Sequence, residues 1–338
     1  MQTYAAIDLH SNNGVLAIID ETDRVLKQRR IPNKLEEFLA ELEPFRATLQ
    51  GIAVESTFNW YWLVDGLRAK RFPVTLVNTS AIQQYEGLKR SDDQYDAWWL
   101  AHMMRLGILP KGYIYPREER AVRDLLRKRA TLVGQRTANI LSVQNLEARN
   151  RGTKISSNEV KHLTGARVAE LYENEHLALA LTTTLTVIET LTEQVHLLEN
   201  AVLKKARLRS EWELIETVWG VGRILGLTIM YEAGDMGRFA SPGDFASYCR
   251  CVDATRLSNG KKKANNNARN GNKYLSWAFV EAAYYAQRFC VEAKRFYERK
   301  KAKTNTAVAT KALAHKLARA CYHMLKEQQP FDAGRCFA

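Results

Sequence analysis

The sequence predicts an α/β domain in the N-terminal third and a mostly α-helical remainder. Short β-prone runs alternate with helical periodicity over the first third of the 338-residue chain. A long, polar-rich helical pattern follows, and the excess of basic charge is confined to the later part. We therefore expect three domains, at residues 1–116, 117–208 and 209–338.

Three short β-prone runs open the chain. Tyr4–Leu9, Gly14–Ile19 and Val25–Ile31 are separated by polar or glycine-containing turns, which is typical of a strand meander. Residues Leu35–Leu49 then carry apolar side chains at helical spacing and predict a helix.

Strands and helices alternate in the next segment. Short buried strands are predicted by the apolar composition of Gly51–Glu55 and Pro73–Val77. A helix is predicted between them, over Trp60–Lys70. Another helix is expected from about Thr79, and a further one over Asp92–Leu106. The order βββαβαβα is that of the RNase H fold, in which the first and fourth strands are neighbours.

Two long antiparallel helices are predicted for the middle of the chain. A helical pattern runs from Arg117 to about Asn150, the turn-like segment Asn150–Asn158 interrupts it, and it resumes over Glu159–Arg207. A helical hairpin or coiled coil fits this arrangement. A spacer, a dimerisation element and an RNA-contacting element are all compatible with it.

Helices separated by loops are expected from Trp212 onward. Thr217–Gly222 (TVWGVG) resembles a helix-hairpin-helix turn, in which glycines let backbone N–H groups approach a phosphate. Ordinary helix-capping chemistry explains the same glycines equally well. Ser241, followed by Pro-Gly-Asp, is interpreted as a helix N-cap without a chemical role.

Basic charge is concentrated in one region. Residues 1–116 hold 13 Lys and Arg against 14 Asp and Glu, whereas residues 250–319 hold 17 against 4. The second region has a net charge of +13, which equals the net charge of the whole chain. Such a local excess favours a polyanionic partner, nucleic acid, over a merely solvated surface.

The cysteine pattern and the hydropathy exclude other classes. The five cysteines form no Cys-x-x-Cys pair, so free thiols in a reducing cytosol are expected. No run approaches the roughly 20 apolar residues that span a bilayer, and no export leader is apparent, so we expect a cytoplasmic protein with no membrane partner.

Four acidic residues fall where an RNase H topology would bring them together. Asp8 lies in an apolar strand, Glu55 ends the next buried strand, and Asp93 and Asp96 are three apart at the start of a helix. Clustered carboxylates repel each other unless cations neutralise them, so the pattern predicts two Mg²⁺ ions, with Mn²⁺ as an alternative. Individually, each acid also has an ordinary explanation as a turn or helix-start residue.

The chain resembles the DEDD transposases of the insertion sequence one-ten family, the bridge-RNA-guided recombinases, with Piv-type DNA invertases as relatives. The motifs are AAIDLHS, AVEST, RSDDQYDAWWLA, VWGVGRILGLTIMYEAGDMGRFASPGDFASYCRC, RLSNGKKKANNNARNGNKYLSWAFVEAA and AHKLARACYHMLK. The resemblance implies that Asp8, Glu55, Asp93 and Asp96 form the metal-binding tetrad of a RuvC-like domain. Asp92 is the rival for the third position, but the family spacing acid-x-x-acid-Ala favours Asp93.

The resemblance also implies a serine nucleophile that forms a phosphoserine link to DNA, and Ser258 matches it. Ser-Asn-Gly is ordinary turn chemistry as well. The loop that follows is expected to hold the scissile phosphate through basic side chains. These are Lys261, Lys262, Lys263, Arg269 and Lys273.

By the same resemblance, the partners are target and donor DNA, a structured bridge RNA that guides recognition, and further copies of the chain in a dimer or tetramer with composite active sites. The sequence shows no recognition helix or zinc finger, which is compatible with a guide RNA. A Holliday-junction-type nuclease and a site-specific DNA invertase are the enzyme alternatives. A basic nucleic-acid-packaging protein is the non-enzyme alternative.

Overall fold

The computed structural model describes residues 1–82, 92–206, 209–252, 255–259, 261–265 and 270–338, with the backbone alone for residues 255–258 and 262–265. The chain divides into two compact units, Met1–Arg117 and Glu118–Ala338. The helical hairpin and the C-terminal helices therefore belong to one compact unit, and their separation into two domains stays a prediction.

The first unit is built on a mixed five-stranded sheet. Its elements are β1 (Thr3–Leu9), β2 (Asn13–Asp20), β3 (Val25–Pro32), α1 (Leu35–Leu42), β4 (Leu49–Glu55), α2 (Tyr61–Ala69), β5 (Val74–Val77) and α3 (Asp93–Arg105). The strand order is β3-β2-β1-β4-β5. The first three strands are antiparallel, while β4 is parallel to both β1 and β5. The predicted neighbourhood of the first and fourth strands is confirmed, and the sheet is consistent with an RNase H-like domain.

Alternating side chains cover the two faces of this sheet differently. On one face Ile7 and Leu9 pack with residues of α1 and α2 such as Phe38 and Leu63. On the other face Ala6, Ala53 and Val77 pack against α3. Because successive strand residues point to opposite faces, Asp8 and Glu55 fall on the α3 face.

Two helices predicted for the first unit differ in the structure. The helix expected over Leu35–Leu49 ends at Leu42, and a short 3-10 helix, Glu43–Phe45, follows. Pro44 explains the break, because proline has no backbone N–H and cannot continue the helical hydrogen-bond pattern. Where a helix was expected from about Thr79, the structure has a short 3-10 helix over Thr79–Ala81. Residues 83–91 lie outside the described part of the chain.

The second unit begins with the predicted hairpin. Its stem consists of α4 (Arg117–Arg151) and α7 (Glu175–Ala206), and its tip of α5 (Ser157–His162) and α6 (Gly165–Leu171). Hydrogen bonds from Arg129 to Glu199 and from Arg136 to Thr192 show that the stem helices are antiparallel. The single helix predicted over Glu159–Arg207 is wrong. Side-chain N-caps at Ser156 and Thr164 start separate short helices instead.

The rest of the second unit is mostly helical, as predicted. It contains α8 (Ser210–Glu216), α9 (Arg223–Ala233), α10 (Pro242–Tyr248), β6 (Thr255–Ser258), β7 (Lys261–Asn265), α11 (Lys273–Phe289), α12 (Val291–Lys303), α13 (Thr306–Glu327) and α14 (Ala333–Phe337). The antiparallel β6–β7 pair was not predicted, because a Lys-Lys-Lys-Ala-Asn segment has little intrinsic preference for a strand. All five cysteines are free. Within the described ranges no helix combines the length and apolar character that a membrane crossing requires.

Candidate metal and nucleic-acid site

Three of the four predicted acids meet at one end of the sheet. Asp8 and Glu55 follow directly on the paired residues Ile7 and Val54 of the neighbouring parallel strands β1 and β4. Asp96 lies in the first turn of α3, which covers this face of the sheet. Asp8, Glu55 and Asp96 together line a cavity of about 300 Å³.

The carboxyl groups in this cavity oppose each other's ionisation. Burial raises the pKa of Glu55 to about 8, and a hydrogen bond to Asp8 and the charges of Asp8 and Asp96 add to the effect. Asp8 is only 5% exposed. The site therefore holds one buried and two partly buried acids that repel each other, an arrangement that a cation would stabilise.

The cavity also has a neutral hydrogen-bond donor on its wall. Trp99, one turn after Asp96 on α3, lines the cavity. Its indole N–H is buried and has no acceptor among the described residues. An indole N–H can only donate, so an acceptor oxygen that reached this atom would satisfy it.

Asp93 lies beside this cavity and is held by different partners. The Arg30 guanidinium on β3 donates to Asp93 Oδ2 at 2.6 Å, and this hydrogen bond is the main reason why the pKa of Asp93 is lowered. His10 Nε2 lies 3.3 Å from an oxygen of Asp93 and 3.3 Å from an oxygen of Asp8. One ligand atom each from Asp8, His10 and Asp93 fit within 4.8 Å of one another, so these residues form a second group that could hold a cation.

Hydrogen bonds from neighbouring loops fix the position of His10. The backbone carbonyl of His10 accepts from the side-chain amides of Asn33 and Asn59 at 3.0 and 2.8 Å. His10 and Arg30 were not predicted from the sequence. For His10, its place just after the strand that carries Asp8 is only a weak indication of a role in the site. The contact of Arg30 on β3 with Asp93 on α3 depends on tertiary packing, which the local sequence does not indicate.

Asp92 has a structural function. Its side chain caps α3 by accepting from the backbone N–H of Tyr95 at 2.8 Å, and the residue is exposed. Asp92 is therefore accounted for by helix capping, whereas Asp93 and Asp96 face the acidic site and its margin.

The residues predicted to act on DNA from the C-terminal part lie in the second unit. Ser258 ends β6, and its backbone pairs with Lys261 at the start of β7. Lys262 and Lys263 continue β7, Lys273 is exposed at the start of α11, and Arg269 lies outside the described residues. The basic segment is thus partly a β-hairpin rather than a simple loop. Asn259, in the turn, has a positive φ of 51°, a conformation that asparagine tolerates well.

Two buried contacts fix the start of α11, which follows the β6–β7 pair in the chain. Asn272 caps α11 through its side-chain oxygen and donates from its Nδ2 to Glu232 at 2.7 Å. Arg127 of the hairpin stem donates to both oxygens of Glu232 at 2.6 and 2.8 Å. The 1% exposed carboxylate of Glu232 therefore links the stem of α4 to the end of the basic segment.

The remaining predicted features have structural explanations. Ser241 caps α10 by accepting from the backbone N–H of Asp244, as expected. In the turn before α9, Gly220 has φ +85° and packs directly on the backbone of α11. Gly222 is the N-cap of α9 and meets no heavy atom within 4 Å at its Cβ position. Close packing therefore accounts for Gly220, while Gly222 remains open to the phosphate interpretation.

An α/β unit with converging acids, followed by a helical unit with a basic hairpin, defines an enzyme class that acts on nucleic acid. Two family models match the chain: a DEDD transposase model of the IS110 type over residues 5–146, and one described as transposase, IS116/IS110/IS902 family, over residues 212–298. The chain belongs to the IS110 family of transposases, whose members cleave and rejoin DNA. Among curated proteins, none matches it.

Proposed function

We propose that this transposase is a metal-dependent DNA recombinase whose first unit is an RNase H-like, RuvC-like catalytic domain. Asp8, Glu55, Asp93 and Asp96 form its metal-binding tetrad, and Ser258 is its nucleophile. The observation that carries the proposal is the convergence of Asp8, Glu55 and Asp96 in one cavity although they are far apart in the chain.

The donor set of the acidic site fits divalent cations. Carboxylate oxygens are the ligands that Mg²⁺ and Mn²⁺ prefer. The pKa of Glu55 is raised by burial and by the neighbouring acids Asp8 and Asp96, whose repulsion a bound cation would relieve. Asp8 belongs both to the cavity and to the group with His10 and Asp93, so it would be shared between two ions. Such ions, when bound, supply charge neutralisation and activation at a DNA phosphate.

The side chains of the protein carry out the bond-forming steps and hold the DNA. The Ser258 hydroxyl attacks the scissile phosphorus, so that a phosphoserine ester forms and a DNA hydroxyl leaves. A hydroxyl of the new strand partner then attacks the same phosphorus, which rejoins DNA and regenerates Ser258. Trp99 and the basic side chains around β7 would hold phosphate oxygens. These basic residues are Lys261, Lys262, Lys263, Arg269 and Lys273.

Guidance by a bridge RNA and assembly into a dimer or tetramer complete the proposal. The acids and Ser258 belong to different compact units, so the reaction requires those units to meet, within one chain or between copies. The RNA would read target and donor DNA by base pairing, which leaves shape and backbone recognition to the protein.

Ser258→Ala tests the chemistry. With a DNA substrate and the RNA of the element, the variant is expected to form no covalent protein–DNA adduct on a denaturing gel while it still binds both nucleic acids. Ser241→Ala is the matched control, because Ser241 only caps α10. An undiminished adduct in Ser258→Ala removes Ser258 from the mechanism, and hydrolysed instead of rejoined ends from the wild type would favour the nuclease alternative.

A further inference from the structure

A second cavity lies in the C-terminal unit, between α13 and the segment that follows it. Gln328 takes a left-handed backbone conformation, φ 53°, and turns the chain back along α13. The segment is then fixed by the Phe331 backbone N–H, which donates to Thr217 Oγ1 at 2.9 Å, and by Lys316 Nζ, which donates to the Cys336 carbonyl at 2.9 Å. The cavity between them, the C-terminal pocket, is partly open to solvent and has a volume of about 340 Å³, which is within the range of small-ligand sites.

Positive charge in the C-terminal pocket exceeds the negative charge that is available to neutralise it. Of the two lining carboxylates, Glu327 is bound by Arg335 at 2.6 and 3.0 Å and by His323 at 2.9 Å. Asp332 caps α14. Arg319 forms no ion pair with a carboxylate among the described residues, and Lys316 is engaged with a backbone carbonyl. The lining thus holds three cationic side chains, those of Lys316, Arg319 and Arg335, against two carboxylates, and this excess of one positive charge would attract an anion.

The state of His315 is consistent with this excess. His315 lines the pocket one helical turn before Arg319. Burial lowers its pKa, and the positive charges of Arg319 and Lys316 lower it further. A bound anion would offset those charges and raise the pKa of His315 again.

The remaining wall is apolar. Ala320 and Met324 on α13 face Pro330 and Phe331 of the returning segment. Inorganic phosphate would leave this surface unused, whereas a nucleobase can stack on an aromatic or thioether side chain. The pocket therefore combines a site for a phosphate with a site for a flat, apolar ring.

We propose that the C-terminal pocket binds a single nucleotide, with its phosphate at Arg319 and His315 and its base against Phe331. This site is separate from the acidic cavity and from the Ser258 hairpin, and it does not depend on the proposed function. The nucleotide has two possible sources, a free nucleotide or an unstacked nucleotide of a single strand, and both share the same chemistry.

The test uses the full-length protein with AMP, UMP, inorganic phosphate and a short single-stranded oligonucleotide, at a salt concentration that suppresses non-specific binding. Arg319→Gln is expected to weaken nucleotide binding at least tenfold and Phe331→Leu about threefold or more, because each removes one half of the site. Arg295→Gln, which removes an exposed positive charge on α12 outside the pocket, should change binding less than twofold. NMR of the histidine rings should show the pKa of His315 rising when the nucleotide binds.

Each result decides the proposal. Binding of AMP or UMP that depends on Arg319 supports a free nucleotide, and binding of the oligonucleotide alone with the same dependence supports an unstacked nucleotide of a strand. Equal binding of phosphate and nucleotide, or nucleotide binding that neither pocket variant weakens, overturns the proposal. An unchanged His315 resonance at saturation also overturns it, and this readout uses the wild-type protein, so it does not depend on how the variants fold.

Discussion

The carboxyl group of Glu55 lies beside that of Asp8 at the ends of two neighbouring parallel strands. Burial, Asp8 and Asp96 together raise the pKa of Glu55 to about 8. In the unfolded chain Glu55 has its ordinary pKa near 4.5. Without a cation, this site therefore costs stability at neutral and alkaline pH, which is the opposite of what a paired carboxylate does.

Glu55→Gln should stabilise the metal-free protein at pH 8. Between pH 4.5 and pH 8 the unfolded chain releases the Glu55 proton while the folded protein retains it, so wild-type stability falls across this window. Glutamine removes that loss, by on the order of 1–2 kcal/mol after a discount for partial exposure. Thermal unfolding in EDTA at pH 4.5 and pH 8 measures the effect, and added Mg²⁺ should stabilise the wild type more than the variant.

Glu41→Gln is the control for this experiment, and its effect should have the opposite sign. Hydrogen bonds from Lys27 and Arg29 hold the pKa of Glu41 below its usual value. Its contribution is therefore present above pH 4.5 and is lost as the pH falls, so Glu41→Gln should destabilise the protein at pH 8. If both variants shift stability in the same direction at pH 8, the account given for Glu55 is wrong.

Asn substitutions at Asp92 and Asp93 should separate the two candidates for the third acid. Asparagine caps helices as well as aspartate does, so Asp92→Asn should keep DNA cleavage within about threefold of the wild type. Asp93→Asn removes a charged group beside Asp8 and His10 and should lower cleavage by about 100-fold or more. Cleavage rates at saturating Mg²⁺ provide the comparison. The reverse ranking would assign the third acid to Asp92.

His10 should contribute a nitrogen ligand when Mn²⁺ binds at the Asp8, His10 and Asp93 group. Pulsed electron paramagnetic resonance of the Mn²⁺-loaded protein is expected to show coupling to a ¹⁴N nucleus, and His10→Asn should remove it. His102 contacts the carboxylate of Asp23 at 2.8 Å in the same unit, so His102→Asn is the matched control and should keep the coupling. Bound Mn²⁺ without nitrogen coupling in the wild type would show that His10 is not a ligand.

Loss of the buried charge at Glu232 should weaken the second unit far more than loss of the partly exposed charge at Glu199. The side chain of Glu232 is 1% exposed, and Glu232→Gln removes the carboxylate that pairs with Arg127. This substitution should lower the free energy of unfolding by about 2–4 kcal/mol. Glu199→Gln breaks the Arg129 pair, in which the Glu199 side chain is 27% exposed, and should cost about 1 kcal/mol or less. Urea unfolding of the full chain measures both, and equal costs would mean that Glu232 does not link α4 to the basic segment.

Alanine at Gly220 and Gly222 should separate packing from phosphate binding. At Gly220 a Cβ would lie 2.5 Å from the Ala286 backbone nitrogen and closer still to the Ala282 carbonyl oxygen, so Gly220→Ala should destabilise the protein by about 3 kcal/mol or more. Gly222→Ala has open space and should cost about 1 kcal/mol or less. If Gly222→Ala nevertheless weakens DNA binding several-fold in a filter-binding assay, the phosphate interpretation of this turn is supported.

Local patterns in the sequence predicted most of the first unit, because its strands are short apolar runs and its helices have clear periodicity. The convergence of Asp8 and Glu55 followed from the strand order. The positions of Arg30 and His10 could not be predicted, since they depend on how β3, α3 and the loop after β1 pack together. The β6–β7 pair was missed for a related reason: each strand is stabilised by its partner and not by its own residues. The role of Ser258 rests on the family resemblance and stays a prediction.

The antiparallel stem of α4 and α7 constrains how this protein can change in length. Arg129 donates to Glu199, and Arg136 donates to Thr192. The two arginines are seven residues apart on α4, and their two partners are also seven residues apart on α7. An insertion in one helix alone would break this pairing along the remaining stem. It would also rotate the apolar residues that the two helices bury together, such as Ile140 and Ile188, out of contact. Two matched insertions of seven residues would instead carry α5 and α6 about 10 Å outward without altering the base. We therefore expect the stem of related proteins to differ in length by seven residues in both helices at once.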